Sequence, residues 1–243
     1  MNKKRICVIT SSRADFGLLK DLMLKLNKLF DLKLIVTGSH LSKKFGYTKN
    51  EIIKNKIPIY KAVKIFDKPL NKKFNETYIL NTISKTINKF DKIFKKINPE
   101  IVIVLGDRYE IFACVISATV NRKLIAHIHG GETTSNALDD SFRHSISQMS
   151  QIHFVAAKKY YDRVIQLGKD PANVHLVGGL GPSNIKKLKI KTKKQLINKI
   201  TPEISKQYAV LIYHPETKLK DYGLNGLKNT LDVFNNIKDL FLV

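Results

Sequence analysis

Five short segments concentrate side chains that can move protons or hold anions. They are Ser11-Ser12-Arg13-Ala14-Asp15, Gly38-Ser39-His40, Gly106-Asp107-Arg108, His127-Ile128-His129-Gly130-Gly131-Glu132 and His214-Pro215-Glu216. Carboxylates serve as general acids and bases, and histidine changes charge near neutral pH. Asp107 follows a wholly apolar run and one glycine, which puts its carboxylate at a strand end beside Arg108; the bland alternative is a local ion pair or a helix cap. His127 and His129 are two residues apart and share one face of a strand, a spacing that suits a metal. No further His/Cys/Asp cluster at ligand spacing accompanies them, and Gly130-Gly131 reads as close approach of backbone to a ligand. Glu132, just past two glycines, is better placed for chemistry than for packing. Asp139 and Asp140 precede a helix expected from Ser141, which one of them would cap. Arg143 and His144 then fall in its first turn, where the backbone N–H groups and the helix dipole favour an anion. Arg13, one of few arginines in a lysine-rich chain, is a candidate diphosphate fork.

For these segments to meet, the elements between them must bring them to one edge. Apolar runs at Ile6–Thr10, Leu32–Thr37, Ile57–Val63, Ile101–Leu105, Leu124–Ile128, Ile152–Ala156 and Val174–Val177 read as strands. Helical stripes alternate with them. The clearest steps through Ile79, Leu80, Ile83, Ile87, Phe90, Phe94 and Ile97 and stops at Asn98-Pro99. Others are expected over Leu18–Phe30, Tyr109–Val120, Ser141–Ser150 and Tyr160–Leu167. Strands alternating with helices imply an α/β fold with a Rossmann-like parallel sheet, and in such a sheet ligands bind outside the carboxyl ends of the strands. All five polar segments follow such ends.

After Gly178-Gly179-Leu180-Gly181-Pro182 the pattern changes. The expected division is a first Rossmann-like domain over residues 1–185, a linker or surface helix over 186–206, and the start of a second domain over 207–243. That last part holds a strand at Tyr208–Tyr213, a helix near 222–237 and an apolar run at Leu240–Val243.

Composition narrows the function classes. Apolar residues make up 43 % of the 243, enough for a packed core. The formal charge is +23, yet all but six of the 43 basic residues are lysine, scattered over helix faces and loops. Nucleic-acid readers favour arginine forks and aromatic platforms, so the charge reads as a solvated surface and no nucleic-acid partner is expected. Cys7 and Cys114 each sit inside an apolar run, which fits a reducing compartment and no disulfide framework. With no apolar signal core and no membrane-length stretch, the expected location is the cytoplasm, without a membrane partner.

Taken in order, Ser11-Ser12-Arg13-Ala14-Asp15-Phe16-Gly17, Leu105-Gly106-Asp107-Arg108-Tyr109-Glu110, His127-Ile128-His129-Gly130-Gly131-Glu132, Asp139-Asp140-Ser141-Phe142-Arg143-His144 and His214-Pro215-Glu216-Thr217 closely resemble the hydrolysing UDP-N-acetylglucosamine 2-epimerases of sialic-acid and related nonulosonate biosynthesis. The resemblance implies two Rossmann-like domains in the GT-B arrangement, here incomplete, because family members continue well beyond residue 243. It implies a UDP-sugar substrate, no metal or redox cofactor, and a homodimer or higher homo-oligomer when complete. Asp107, Glu132 and the Asp139/Asp140 pair would carry the acid–base work, with Asp140 favoured by its spacing to Arg143. His214 would contact the diphosphate or help UDP leave. Arg13, Arg108, His127, His129, Gly130, Gly131, Arg143 and His144 would line the substrate. The chain alone is expected to have little or no activity, whether it is a fragment, half of a split enzyme or a frameshifted product. Two rival readings are a catalytically silent sugar-nucleotide-binding subunit and a GT-B glycosyltransferase.

Overall fold

The computed structural model describes residues 3–66, 75–135, 137–186, 190–199, 207–215 and 219–243. Glu216 and Thr217 of the last motif, and parts of the expected 186–206 linker, lie outside them. The chain divides into two compact units, Met1–Thr134 with Asp139–Ile185, and Ser135–Leu138 with Lys186–Val243.

The first unit is built on strands β1 (Arg5–Thr10), β2 (Asp31–Val36), β3 (Ile59–Ala62), β4 (Ile101–Leu105), β5 (Leu124–Ile128), β6 (Ile152–Val155) and β7 (Val174–Leu176). They form one sheet in the order β3-β2-β1-β4-β5-β6-β7, parallel at every pairing. The chain order reverses between β1 and β4, the point where doubly wound folds open a crevice at the strands' carboxyl ends.

Both faces of the sheet are covered, so the central strands are apolar throughout rather than alternating. In β1, Ile6 and Val8 face one core with Phe16, Leu19 and Met23 of helix α1 (Arg13–Leu29). Cys7 and Ile9 face the other, with Phe90, Ile93, Phe94 and Ile97 of α3 (Glu76–Ile97) and Ile111, Cys114 and Val115 of α4 (Tyr109–Val120). Between α1 and α3 lies the short α2 (Lys49–Lys54). α3 stops where Asn98 takes a left-handed conformation, φ 45°, ahead of Pro99. Helices α5 (Asp139–Met149) and α6 (Lys158–Gln166) follow β5 and β6.

Two boundaries differ from expectation in ways that matter. α5 starts at Asp139 and not at Ser141, so both aspartates lie in its first turn and Arg143, its fifth residue, falls in the second. The glycine-rich segment after β7 forms a short helix, α7 (Leu180–Ile185), whose Leu180 packs on the α1 side of the core. Pro182 is its third residue, where a missing N–H breaks no helical hydrogen bond.

The second unit contains α8 (Lys193–Ile197), β8 (Gln207–Ala209), α9 (Leu224–Asn235) and β9 (Leu240–Leu242), with β8 and β9 paired in parallel. Among the described residues no helix is long and apolar enough to cross a membrane.

Candidate active site

Parallel pairing puts the segments after β1, β2, β4 and β5 at the same edge of the sheet. Along that edge the polar residues separate into those that build the rim and those that remain for chemistry.

The first segment is largely a helix start. Ser12 caps α1 in a reciprocal box with Asp15. Asp15 Oδ2 also accepts from the Ser11 N–H at 2.7 Å and the Ser12 N–H at 2.9 Å, so this carboxylate is consumed in the cap. Arg13, beside it, has a side chain 74 % exposed and pairs with Glu51 of α2 at 3.1 Å. After β2, His40 is buried between Thr10 Oγ1 at 3.0 Å and Thr48 Oγ1 at 2.7 Å, and burial depresses its pKa.

After β4, Arg108 Nε donates to Glu110 Oε1 at 2.6 Å. Glu110 is fully buried, and burial raises its pKa despite that arginine. The pair leaves little room behind it: a Cβ on Gly38, which sits at φ +57°, would stand 2.6 Å from Ser11 O and 3.2 Å from Glu110 Oε1.

His127 was expected against substrate, but the structure gives it an internal task. It is fully buried; Nε2 lies 2.8 Å from Gly106 O and Nδ1 lies 3.0 Å from Ser147 Oγ. A carbonyl only accepts, so the proton is on Nε2 and Nδ1 accepts from the serine. Burial pushes the His127 pKa down to about 3. The residue therefore ties the Gly106 turn to β5 and α5. Gly130 and Gly131 are each closely backed by protein. A Cβ on Gly130 would meet Ser147 Oγ at 2.8 Å, and one on Gly131 would meet the Tyr160 carbonyl oxygen of α6 at 2.4 Å.

His129, φ 63°, is a non-glycine residue in the left-handed region. Its Nε2 accepts from the Leu180 N–H at 3.4 Å, which leaves the proton on Nδ1 to bond Glu132 Oε1 at 3.0 Å. Burial alone raises the Glu132 pKa, but the hydrogen bond from His129 and the charge of Arg143 oppose it, and the net shift is downward.

Asp107 meets α5. Arg143 Nη2 donates to Asp107 Oδ2, and Arg143 Nη1 lies 3.4 Å from Asp140 Oδ1. Asp140 Oδ1 also accepts from the Thr134 N–H at 2.9 Å, and His144 Nε2 stands 3.8 Å from its other oxygen. Burial raises the pKa of Asp107; the Arg143 charge opposes this and the Asp139 charge adds to it. Asp139 is also raised by burial, against the charges of Arg108 and Arg143. Arg143 thus acts electrostatically on Asp107, Glu132, Asp139 and Asp140, residues from three separate segments. Carboxyls this crowded can divide into donors and acceptors of protons. The second unit holds His214, exposed in the segment after β8.

Sequence reasoning missed Thr134 and Ser147, which hold the rim together, and gave no separate task to Glu110. Asp15 carried a legible signal in Ser12-x-x-Asp15, a capping-box pattern; Thr134 carried none.

Known proteins match this architecture along the whole chain. The family model described as UDP-N-acetylglucosamine 2-epimerase matches residues 23–243. A polysialic acid biosynthesis protein of Escherichia coli is 35 % identical over 99 % of this chain and 61 % of its own length. A GDP/UDP-N,N'-diacetylbacillosamine 2-epimerase (hydrolyzing) of Campylobacter jejuni is 32 % identical over 100 % of this chain and 62 % of its own. The chain therefore spans about three fifths of the length of these curated relatives. Among solved structures, the UDP-GlcNAc 2-epimerase of Neisseria meningitidis bound to UDP-GlcNAc superposes with a TM-score of 0.76 at 16 % identity, covering 98 % of this chain and 72 % of that one. At that identity the superposition speaks for the fold alone, and the family rests on the sequence match: this chain belongs to the UDP-N-acetylglucosamine 2-epimerase family.

Proposed function

We propose that this chain supplies the acid–base machinery of a hydrolysing 2-epimerase acting on UDP-N-acetylglucosamine or its 2,4-diacetamido-trideoxy relative. The observation that carries this reading is the gathering of Asp107, Glu132, Asp139 and Asp140 around the single guanidinium of Arg143. The names of the relatives support the substrate class.

The chemistry asks for such a cluster. A hydrogen on C2 of the sugar is weakly acidic, so a positioned base must take it. Asp107 takes that proton while the C1–O bond to UDP breaks. The C–H electron pair becomes the C1=C2 double bond of a glycal, and UDP leaves with the C–O pair. Water then adds its hydroxyl to C1, and a proton reaches C2 from the opposite face, giving the manno-configured sugar. Burial raises the Asp107 pKa, which strengthens its conjugate base; the Arg143 pair keeps that base ionised. Glu132, held anionic by His129, is suited to taking a proton from the attacking water. One of Asp139 and Asp140 returns a proton to carbon. Arg13 and Arg108 answer the diphosphate by their charge at the rim.

The test is incubation with each UDP-sugar in deuterated water, with and without the remaining segment of a relative supplied as a second chain. Release of UDP with deuterium at C2 of the free sugar is the expected result when the second segment is present, with little or none in its absence. Transfer of the sugar to an acceptor without C2 exchange would assign a glycosyltransferase. Binding without turnover, even with the second segment present, would assign a silent subunit.

A further inference from the structure

The sequence places Arg143 among substrate-binding residues, but its surroundings describe a different task. Only 8 % of the side chain is exposed. Nη2 donates both to Asp107 and to Thr134 Oγ1, the latter at 3.1 Å, while Nη1 reaches Asp140. Thr134 closes the circuit, because its N–H donates to the same Asp140 oxygen at 2.9 Å. Thr134 from the loop after β5 and Asp140 and Arg143 from α5 thus form one closed hydrogen-bonded ring, and Asp107 from the β4 end is bonded to that ring through Arg143 Nη2. A guanidinium is planar and rigid, so the carboxylates bonded to its two Nη groups are held at a fixed separation. An arginine that gripped a diphosphate would keep these Nη protons for the ligand.

We propose that Arg143 and Thr134 are positioning residues, forming a bracket that fixes Asp107 and Asp140 relative to each other and does not itself bind the sugar nucleotide. The proposal deepens the 2-epimerase reading and rests on it for the meaning of Asp107. Displacing a reacting group by about 1 Å can cost on the order of a hundredfold in rate, so the bracket acts on turnover rather than on affinity.

Two readouts test it. The first needs no activity: carbon-13 NMR titration of the Asp107 carboxyl in this chain, its signal assigned by Asp107→Asn. The charged groups facing that carboxyl are Arg143 and Asp139 from α5 and Arg108 beside it. Arg143→Gln should move the midpoint upward by about one unit or more. Thr134→Val, which loosens the guanidinium while keeping side-chain volume, should move it the same way by less. Thr134→Ser should restore it. The second readout is C2 exchange, measured with the remaining segment of a relative supplied as a second chain. Arg143→Lys and Thr134→Val should each lower kcat at least tenfold with KM little changed, and Thr134→Ser should recover most of the rate.

An unmoved Asp107 midpoint in folded Arg143→Gln overturns the bracket. So does a rise in KM at preserved kcat, which would return Arg143 to substrate binding. If Arg143→Gln does not fold, the Thr134→Val and Thr134→Ser midpoints decide. If the wild-type chain shows no C2 exchange even with the remaining segment of a relative supplied, the 2-epimerase reading fails separately, and the Asp107 titration still decides the bracket.

Discussion

Single side chains along the sheet edge share an environment but not a task. Asp107, Glu132, Asp139 and Asp140 keep carboxylate oxygens near one guanidinium, whereas Asp15 spends its oxygens on a helix cap and Glu110 is sealed behind Arg108. The difference is directly testable. Asp107→Asn should abolish deuterium uptake at C2 while binding of the UDP-sugar survives, read by mass spectrometry and calorimetry on the same sample; undiminished exchange would remove Asp107 from the reaction. Glu132→Gln should instead still release UDP and the glycal but depress formation of the free sugar, because it acts on water and not on the carbon acid. Equal loss of both would contradict that division. The sequence shows that Asp107 and Glu132 reach the edge, because each comes soon after an apolar strand, and it places Asp139 and Asp140 at a helix start. It does not show which ones are free, because that depends on partners such as Thr134 and His129 whose positions are set by loop folding. His127 is the clearest case: its spacing to His129 fits a ligand pair, yet alternate strand residues can share a face while one is buried and the other lies at the strand's end.

Elements explain why the loops hold their shape. β4 and α4 are legible to the residue, since a continuous apolar strand and a long apolar-faced helix leave one register that buries them. α2 and α7 are not legible, because six residues hold less than two turns of periodicity and the glycines before Pro182 read as a break. The glycine pair after β5 shows how an element can reserve a residue type. Gly131 sits at φ +76° with the Tyr160 carbonyl of α6 where a Cβ would go. Gly131→Ala must therefore adopt a disfavoured backbone and push α6 away. The backbone term alone costs about 1–3 kcal/mol, and the contact is with main chain that cannot rotate aside. Urea denaturation should show a loss of at least that size. The same variant should weaken C2 exchange, because Glu132 is the next residue. Wild-type stability in Gly131→Ala would mean that the loop and α6 are not in this contact.

For the molecule as a whole, buried charge makes folding respond to pH, and the response has competing parts. Burial lowers the pKa of His40, His127 and His153, the last two to about 3 and about 4. Between its folded and unfolded pKa values, each such histidine binds a proton only in the unfolded chain. Its contribution is fully present above about pH 6.5 and is lost as the pH falls. Asp107, Asp139 and Glu110 act in the opposite sense. Burial raises their pKa values, so on acidification the folded chain takes protons first and stability is regained. The formal charge of +23 adds self-repulsion common to every variant. A raw stability curve therefore mixes all three, but a difference curve isolates one. His127→Gln keeps a donor for Gly106 and removes the titration. It should be less stable than wild type near pH 7 by about 1–3 kcal/mol, the cost of an imperfectly replaced buried hydrogen-bonding group. That deficit should shrink by about 2 kcal/mol by pH 5, since the wild type loses about 1.4 kcal/mol per unit below pH 6.5 and the variant does not share that loss. Urea midpoints at both pH values measure it. A deficit that stays constant would mean that His127 takes up its proton in the folded protein, and the neutral ring joining Gly106 to Ser147 would have to be abandoned.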